Sequence, residues 1–226
     1  MPAEPANAET RERILCAACD IFAEHGFHKA TVRSICDRAG ANVAAINYYF
    51  RDKENLYTEV LKYSYERSVA KYPLEMGAAP NATPEERLYA FIHSFLLRVY
   101  DTGEGAWYGK LITREMVEPT PALDQLLGTS IMPLYLTLRD ILQLNAQGAA
   151  TDAELRRFGC SVVGQIVFYH HCRPALARVI PDAYCASEVE PIARHITDLT
   201  LAGLERIRRR TGKPEHGHAG KERKAP

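Results

Sequence analysis

Between Thr31 and Glu54 the chain places Arg33, Asn47, Tyr48, Tyr49 and Lys53, all side chains that bond phosphates or base edges. An asparagine amide pairs with adenine through two hydrogen bonds, an arginine reads guanine or holds phosphate, and tyrosine hydroxyls and lysine ammonium groups bond phosphate oxygens. Val43, Ala44 and Ala45 stand just before them, small enough to bring a helix backbone close to base edges and to set methyl groups against a thymine methyl. Thr31 is placed to cap a helix and to reach a phosphate. The competing reading turns Tyr48 or Tyr49 inward onto the first helix of the chain, a side already supplied with Ile46 and Phe50.

Such a set works only if rigid elements hold it. Val32, Ile35 and Ala39 fall on one face of a short helix capped by Thr31, and Gly40 supplies the turn that follows. Asn42 then caps a helix from Val43 to Tyr49, with Ile46 and Phe50 one turn apart for packing. Two short helices joined in this way are the sequence form of a helix-turn-helix, whose second helix enters the major groove. Ahead of them, Ile14, Ala18 and Phe22, with Leu15 and Ile21, predict a helix from Thr10 that stops at His25-Gly26-Phe27. After them, Asp52 opens a long helix with Leu56, Val60, Leu61 and Ser64 on its inner side.

The remaining segments are also helical in pattern. Pro73 to Pro84 reads as a linker, and Thr83-Pro-Glu-Glu86 is a capping box before the apolar stripe Leu88, Phe91, Ile92, Phe95, Leu96 and Val99. A helix from Trp107 to Glu118 ends at Pro119, and another follows through Leu126, Leu134, Leu138, Ile141 and Leu142, with a kink expected at Pro133. Thr151-Asp-Ala-Glu154 and Ser187-Glu-Val-Glu190 are further capping boxes, leading stripes through Leu155, Val162, Ile166 and Tyr169 and through Ile192, Ile196, Leu199, Leu204 and Ile207. No segment alternates with the period of a strand, so the fold class is all-α. Residues 1–9 are expected to be a flexible N-terminus and 211–226 a disordered basic tail.

Bulk properties narrow the function. The 226 residues carry a formal net charge of zero, so attraction to phosphate must be local, with Arg33, Arg38, Arg51 and Lys53 as its sources. Six cysteines are scattered along helical segments, which fits free thiols in a reducing compartment. Neither a membrane-spanning run nor a signal sequence is evident, so no membrane partner is expected and the cytoplasm is the predicted location. No Ser-His-Asp set, paired carboxylates or glycine-rich phosphate loop stands on a suitable scaffold, and the chain reads as a non-enzyme.

Three further groups invite a chemical reading. Trp107, Tyr108, Leu111, Arg114, Glu115 and Met116 mix aromatic bulk with opposite charges, as a ligand site does, with Phe91, Phe95 and Tyr169 as further walls; an internal salt bridge within plain core is the alternative. Cys16-x-x-Cys19 has a metal-like spacing but no partner pair, and it suits small buried residues. His170 and His171 point about 100° apart on a helix, which disfavours one shared ion. Neither a metal site nor a cofactor is therefore predicted.

Ala23-Glu-His-Gly-Phe27, Ala30-Thr-Val-Arg-Ser-Ile35, Ala39-Gly40, Ile46-Asn-Tyr-Tyr-Phe50 and Lys53-Glu54 resemble, in order and spacing, the TetR family of transcriptional regulators. The stretch Trp107 to Pro121 with Ile131-Met-Pro133 is similar to the CecR-type C-terminal domain found in one branch of that family. The resemblance implies a DNA-binding domain over 10–55 and a helical ligand-binding and dimerisation domain over 56–210. It also implies a homodimer on a palindromic double-stranded DNA operator, usually a repressor, with a small-molecule effector. The stripes Leu155 to Tyr169 and Ile192 to Ile207 would pair with their copies as a four-helix bundle. Family members often carry an aromatic at the position of Asn47 and histidine at that of Tyr49, so base readout here would rest on hydrogen bonding by Asn47. The competing function is a small-molecule or thiol-redox sensing module whose output is not transcription.

Overall fold

The computed structural model describes residues 4–103, 105–180 and 188–211, and every regular element among them is helical. Helix α1 (Glu4–Lys29) leaves helical geometry at Gly26, φ 76° and ψ 171°, where the sequence places its stop. It begins before the expected Thr10, so the stretch 1–9 is helical from Glu4. The Tyr49 hydroxyl donates to Asn7 Oδ1 at 2.6 Å, a long-range tie that no local pattern announces. Helices α2 (Val32–Ala39) and α3 (Val43–Phe50) are each capped as predicted: Thr31 Oγ1 accepts from Ser34 N at 3.1 Å and Asn42 Oδ1 from Ala45 N at 2.9 Å. Gly40 closes α2 in the left-handed region at φ 60°, a conformation that glycine adopts without steric cost.

Helix α4 (Lys53–Lys71) starts at the Asp52 cap and crosses the seam between two hydrophobic cores. Ile14, Ala18, Phe22, Ile35, Ile46, Leu56 and Val60 are fully buried in the first core, where Phe22 meets Tyr57 edge-on at 4.8 Å. That core also takes in Leu111, Ala122 and Leu126 from much later in the chain. The second core joins α5 (Pro84–Tyr100), α8 (Met132–Asn145), α9 (Asp152–His171) and α11 (Val189–Thr211). Between α4 and α5 the linker is pinned: Arg87 Nη2 donates to Glu75 Oε1 at 2.9 Å and Ser94 Oγ to the Leu74 carbonyl at 2.6 Å.

Several expectations are corrected. A helix α6 (Tyr108–Val117) is followed by α7 (Ala122–Leu126) and then a π-helical turn, Leu127–Ile131, so the irregularity expected at Pro133 begins ahead of it. Pro133 falls in the first turn of α8, where a missing N–H costs nothing, and the wide π turn absorbs the change of register. The helix through Tyr169 ends at His171, just ahead of Arg173-Pro174, and that dipeptide also opens a short α10 (Arg173–Val179), proline being as suited to a first turn as to a stop. The capping box at Ser187 and the tail after Thr211 lie outside the described residues.

The stripes expected to pair between subunits are consumed within the chain. Leu155, Val162, Ile166, Ile192, Ile196, Leu204 and Ile207 are buried in the second core. What α9 and α11 leave outside is Val167, Phe168 and Leu199.

Candidate nucleic-acid interface and the helix behind it

On α3 the outward face carries Val43, Ala44, Asn47 and Tyr48, with Tyr48 74% exposed. Ile46 and Phe50 on the opposite face are buried in the first core and fix the orientation of the helix. Ala45 and Tyr49 depart from expectation: both are half-buried and packed against that core. The Tyr49 hydroxyl is engaged by Asn7, and its ring meets Tyr48 edge-on at 4.9 Å. Tyr48 is therefore the open hydroxyl of the pair.

The cations sort themselves by partner. Arg38 is drawn to Glu24 at 3.3 Å and Asp20 at 3.8 Å, so it adds little to the positive field expected of it. Arg33 and Arg51 are exposed and have no ion-pair partner among the described residues. Lys53 is half-buried with Nζ 4.5 Å from the centre of the Phe27 ring. Desolvation there pushes its pKa down, while the ring face favours the ammonium form. Thr31 is exposed and committed to its capping box with Ser34.

Helix α6 stands behind this reader with two distinct faces. One face, Trp107, Leu111, Arg114 and Glu115, meets the first domain. Trp107 Nε1 donates to Asp20 Oδ1 at 2.7 Å, and Arg114 Nη2 donates to the Glu24 carbonyl at 3.0 Å. The Arg114 guanidinium lies over Gly26, where a Cβ would come within 3.0 Å of Nη1, a second reason for glycine beside its positive φ. Glu115, fully buried, accepts from the Tyr57 hydroxyl at 2.9 Å and from the Thr120 N–H and hydroxyl at 2.8 and 2.9 Å. Its carboxylate and the surrounding burial push the Tyr57 hydroxyl well above the usual phenol range. The predicted ligand residues on this face are thus an interdomain joint.

The other face of α6, about 100° around the helix, carries Tyr108, Ile112 and Met116. With Phe95, Val99, Val167 and His170 they line an apolar cavity of about 210 Å³ between α5, α6 and α9. Of the residues named from sequence for a ligand helix and its walls, Tyr108, Met116 and Phe95 line this cavity. Phe91 is fully buried core, Leu111 belongs to the first core, and Tyr169 packs against the second. Ile112, which sequence reasoning missed, completes an i, i+4 row with Tyr108 and Met116, but both faces of α6 carry apolar residues and spacing alone does not choose between them. Gly109 permits the close seat of α6 on α5, since a Cβ there would stand 2.4 Å from the Val99 carbonyl oxygen.

The thiols of the first domain are sheltered, while Cys160 on α9 is exposed. Burial pushes the thiol pKa of Cys19 and of Cys36 up, and Cys16 Sγ lies 3.8 Å from the Tyr63 hydroxyl. Raised thiols are poor nucleophiles, so a thiol reagent is expected to label Cys19 and Cys36 only at the rate of unfolding. Rapid labelling of either in the folded protein would restore the redox reading. Among the described residues, no cluster of metal-ligating side chains occurs and no helix is long and apolar enough to cross a membrane.

Known proteins share both halves of this arrangement. A model of bacterial regulatory proteins of the tetR family matches residues 14–60, and a model described as the C-terminal domain of the HTH-type transcriptional dual regulator CecR matches residues 84–204. The chain is 28% identical over 214 residues to the HTH-type transcriptional dual regulator CecR of Shigella flexneri, covering 87% of this chain and 93% of that one. It is 35% identical over 92 residues to the HTH-type transcriptional repressor NicS of Pseudomonas putida, 39% of this chain and 42% of the relative. Among solved structures, the hemolysin II transcriptional regulator HlyIIR superposes with a TM-score of 0.59 at 25% identity, covering 85% of this chain and 99% of its own.

Proposed function

Because the chain belongs to the TetR family of transcriptional regulators, with a CecR-type C-terminal domain, we propose that this DNA-binding regulator is a homodimeric repressor released from a palindromic operator by a small molecule. The observation that carries the reading is the double use of α6. One face lines the apolar cavity, and the other is bonded to α1 through Trp107 with Asp20 and Arg114 with Glu24. A ligand that displaces the Tyr108, Ile112 and Met116 face must move the joint on the opposite side. Release then requires only that the ligand favour the displaced state over the DNA-bound one.

In this reading Asn47 reads a base, Val43 and Ala44 pack against base edges, and Tyr48, Arg33, Thr31 and Lys53 hold phosphates. Ala45 and Tyr49 support the helix from its inner side. Two such helices, about 34 Å apart on successive major grooves, suit a dimer formed through the outward faces of α9 and α11, where Val167, Phe168 and Leu199 stand exposed. The DNA-binding unit extends past residue 55, because its core includes Val60 and Leu61 of α4.

Footprinting on the DNA upstream of the chain's own gene, followed by a compound screen for release, tests the proposal. Protection of two half-sites about one turn apart, lost on adding a compound, is the expected result; protection of one half-site, or none, defeats it. Lys53→Ala is expected to weaken binding to operator and random DNA alike and to reduce the salt slope by about one ion per subunit. An unchanged slope would mean that the Phe27 ring keeps this ammonium away from phosphate.

A further inference from the structure

A second cavity, of about 360 Å³, lies between the C-terminal halves of α4 and α5 and the start of α6, and Tyr108 lines both cavities. Its volume sits at the small end of the roughly 300–1,000 Å³ range of ligand pockets. Arg98 of α5 lines it and is 1% exposed. Arg98 Nη1 donates to the Tyr72 carbonyl at 2.9 Å and to Ser94 Oγ at 3.2 Å. Nε and Nη2 are buried and have no hydrogen-bond partner.

Those two nitrogens share one edge of the guanidinium plane, the edge that takes a carboxylate side-on through two parallel N–H···O bonds. No acid in the described chain offers itself. Asp101, the one carboxylate among the described lining residues, is bonded to Lys71 Nζ at 2.6 Å. The guanidinium carbon instead stands 5.3 Å from the centre of the Phe95 ring, and burial pushes the Arg98 pKa down. Arg67, Lys71 and Arg98 against Asp101 leave the lining cationic. A buried charge with an open fork is costly unless something completes it.

We infer that this cavity binds a small organic carboxylate, held side-on by Nε and Nη2 of Arg98. The inference rests on the effector-released reading above and adds to the apolar cavity a second site, of its own ligand class, that also bears on α6. A planar two-oxygen anion matches the single open fork better than a phosphate, which calls for more donors. The Trp107 and Tyr108 rings along the lining suit an apolar or aromatic body. Trp107 also holds Asp20 of α1, so an occupant of the cavity touches a residue bonded to the DNA-binding domain.

Trp107 is the single tryptophan of the chain, and its emission therefore reports on this cavity directly. The full-length protein is titrated with benzoate and hexanoate, with benzamide and hexanamide, and with inorganic phosphate. An acid of the panel is expected to shift Trp107 emission and raise the melting temperature, binding roughly tenfold or more tightly than its amide. Arg98→Met should lose the response to acid while keeping a cooperative melt. Arg98→Lys, which keeps the charge without the fork, should lose the preference for acid over amide and serves alone if the methionine variant does not fold. Equal binding of acid and amide, preference for phosphate, no shift with any acid, or an undiminished preference in Arg98→Lys would overturn the inference. Acid binding that leaves operator affinity unchanged would support this site and leave release to the apolar cavity; release driven by an amide alone would keep release and overturn the carboxylate.

Discussion

Glu115→Ala is expected to destabilise the protein by about 3 kcal/mol and to uncouple its two domains. The carboxylate is fully buried and is the shared acceptor for the Tyr57 hydroxyl of α4 and for both donors of Thr120. Truncation leaves those donors without an acceptor inside the protein, at roughly 1–3 kcal/mol each before relaxation, and removes volume beside Leu111. Glu115→Gln retains an acceptor oxygen and should cost distinctly less. Urea melts of the two variants give the comparison. A loss below about 1 kcal/mol in Glu115→Ala would mean that water replaces the carboxylate and that the joint is looser than its hydrogen bonds imply. The same variant should bind operator with an affinity that a releasing compound no longer changes, since Tyr57 packs on Phe22 and Phe27 within the DNA-binding domain.

Asn47→Ala is expected to weaken operator binding by about 1–3 kcal/mol while leaving affinity for random DNA nearly unchanged. Asn47 is exposed on α3 between the small residues Val43 and Ala44 and the open Tyr48. Few other side chains on that face offer a donor and an acceptor together. The contrast with Lys53→Ala is the decisive measurement, because a phosphate contact weakens all sequences and a base contact weakens one. Titrations of operator and scrambled duplex at two salt concentrations separate them. An equal loss on both duplexes for Asn47→Ala would assign this residue to the backbone and leave base readout to Arg33 or to DNA shape.

The two variants probe opposite ends of one path, and the sequence made those ends unequally legible. Asn47, its neighbours and the caps at Thr31, Asn42 and Asp52 could be read directly, because caps, turns and helical period are local and involve residues three or four apart. The capping boxes at Thr83 and Thr151 and the glycine at position 40 are of this kind. Arg98 gave no such signal: in sequence it is one more residue at the end of an apolar stripe, and only packing reveals that Tyr72 and Ser94 occupy one nitrogen and leave its other edge open.

Helix α6 marks the division most clearly. Its existence, length and mixed character follow from the stretch Trp107 to Glu118, but two of its faces are apolar and either suits a ligand. The tertiary structure assigned Leu111 and Glu115 to the joint with the first domain and Tyr108, Ile112 and Met116 to the cavity. In the same way the apolar stripes of α9 and α11 were evident, but whether they met each other or a second subunit depended on what α5 and α8 had already covered. Sequence alone determined that the chain is helical, most of its helix caps and which face of α3 is buried, since each is set by neighbours along one helix. Which face meets which partner depends on shape and volume contributed by residues far apart in the chain, as when Trp107 finds Asp20, and that only the folded structure decides.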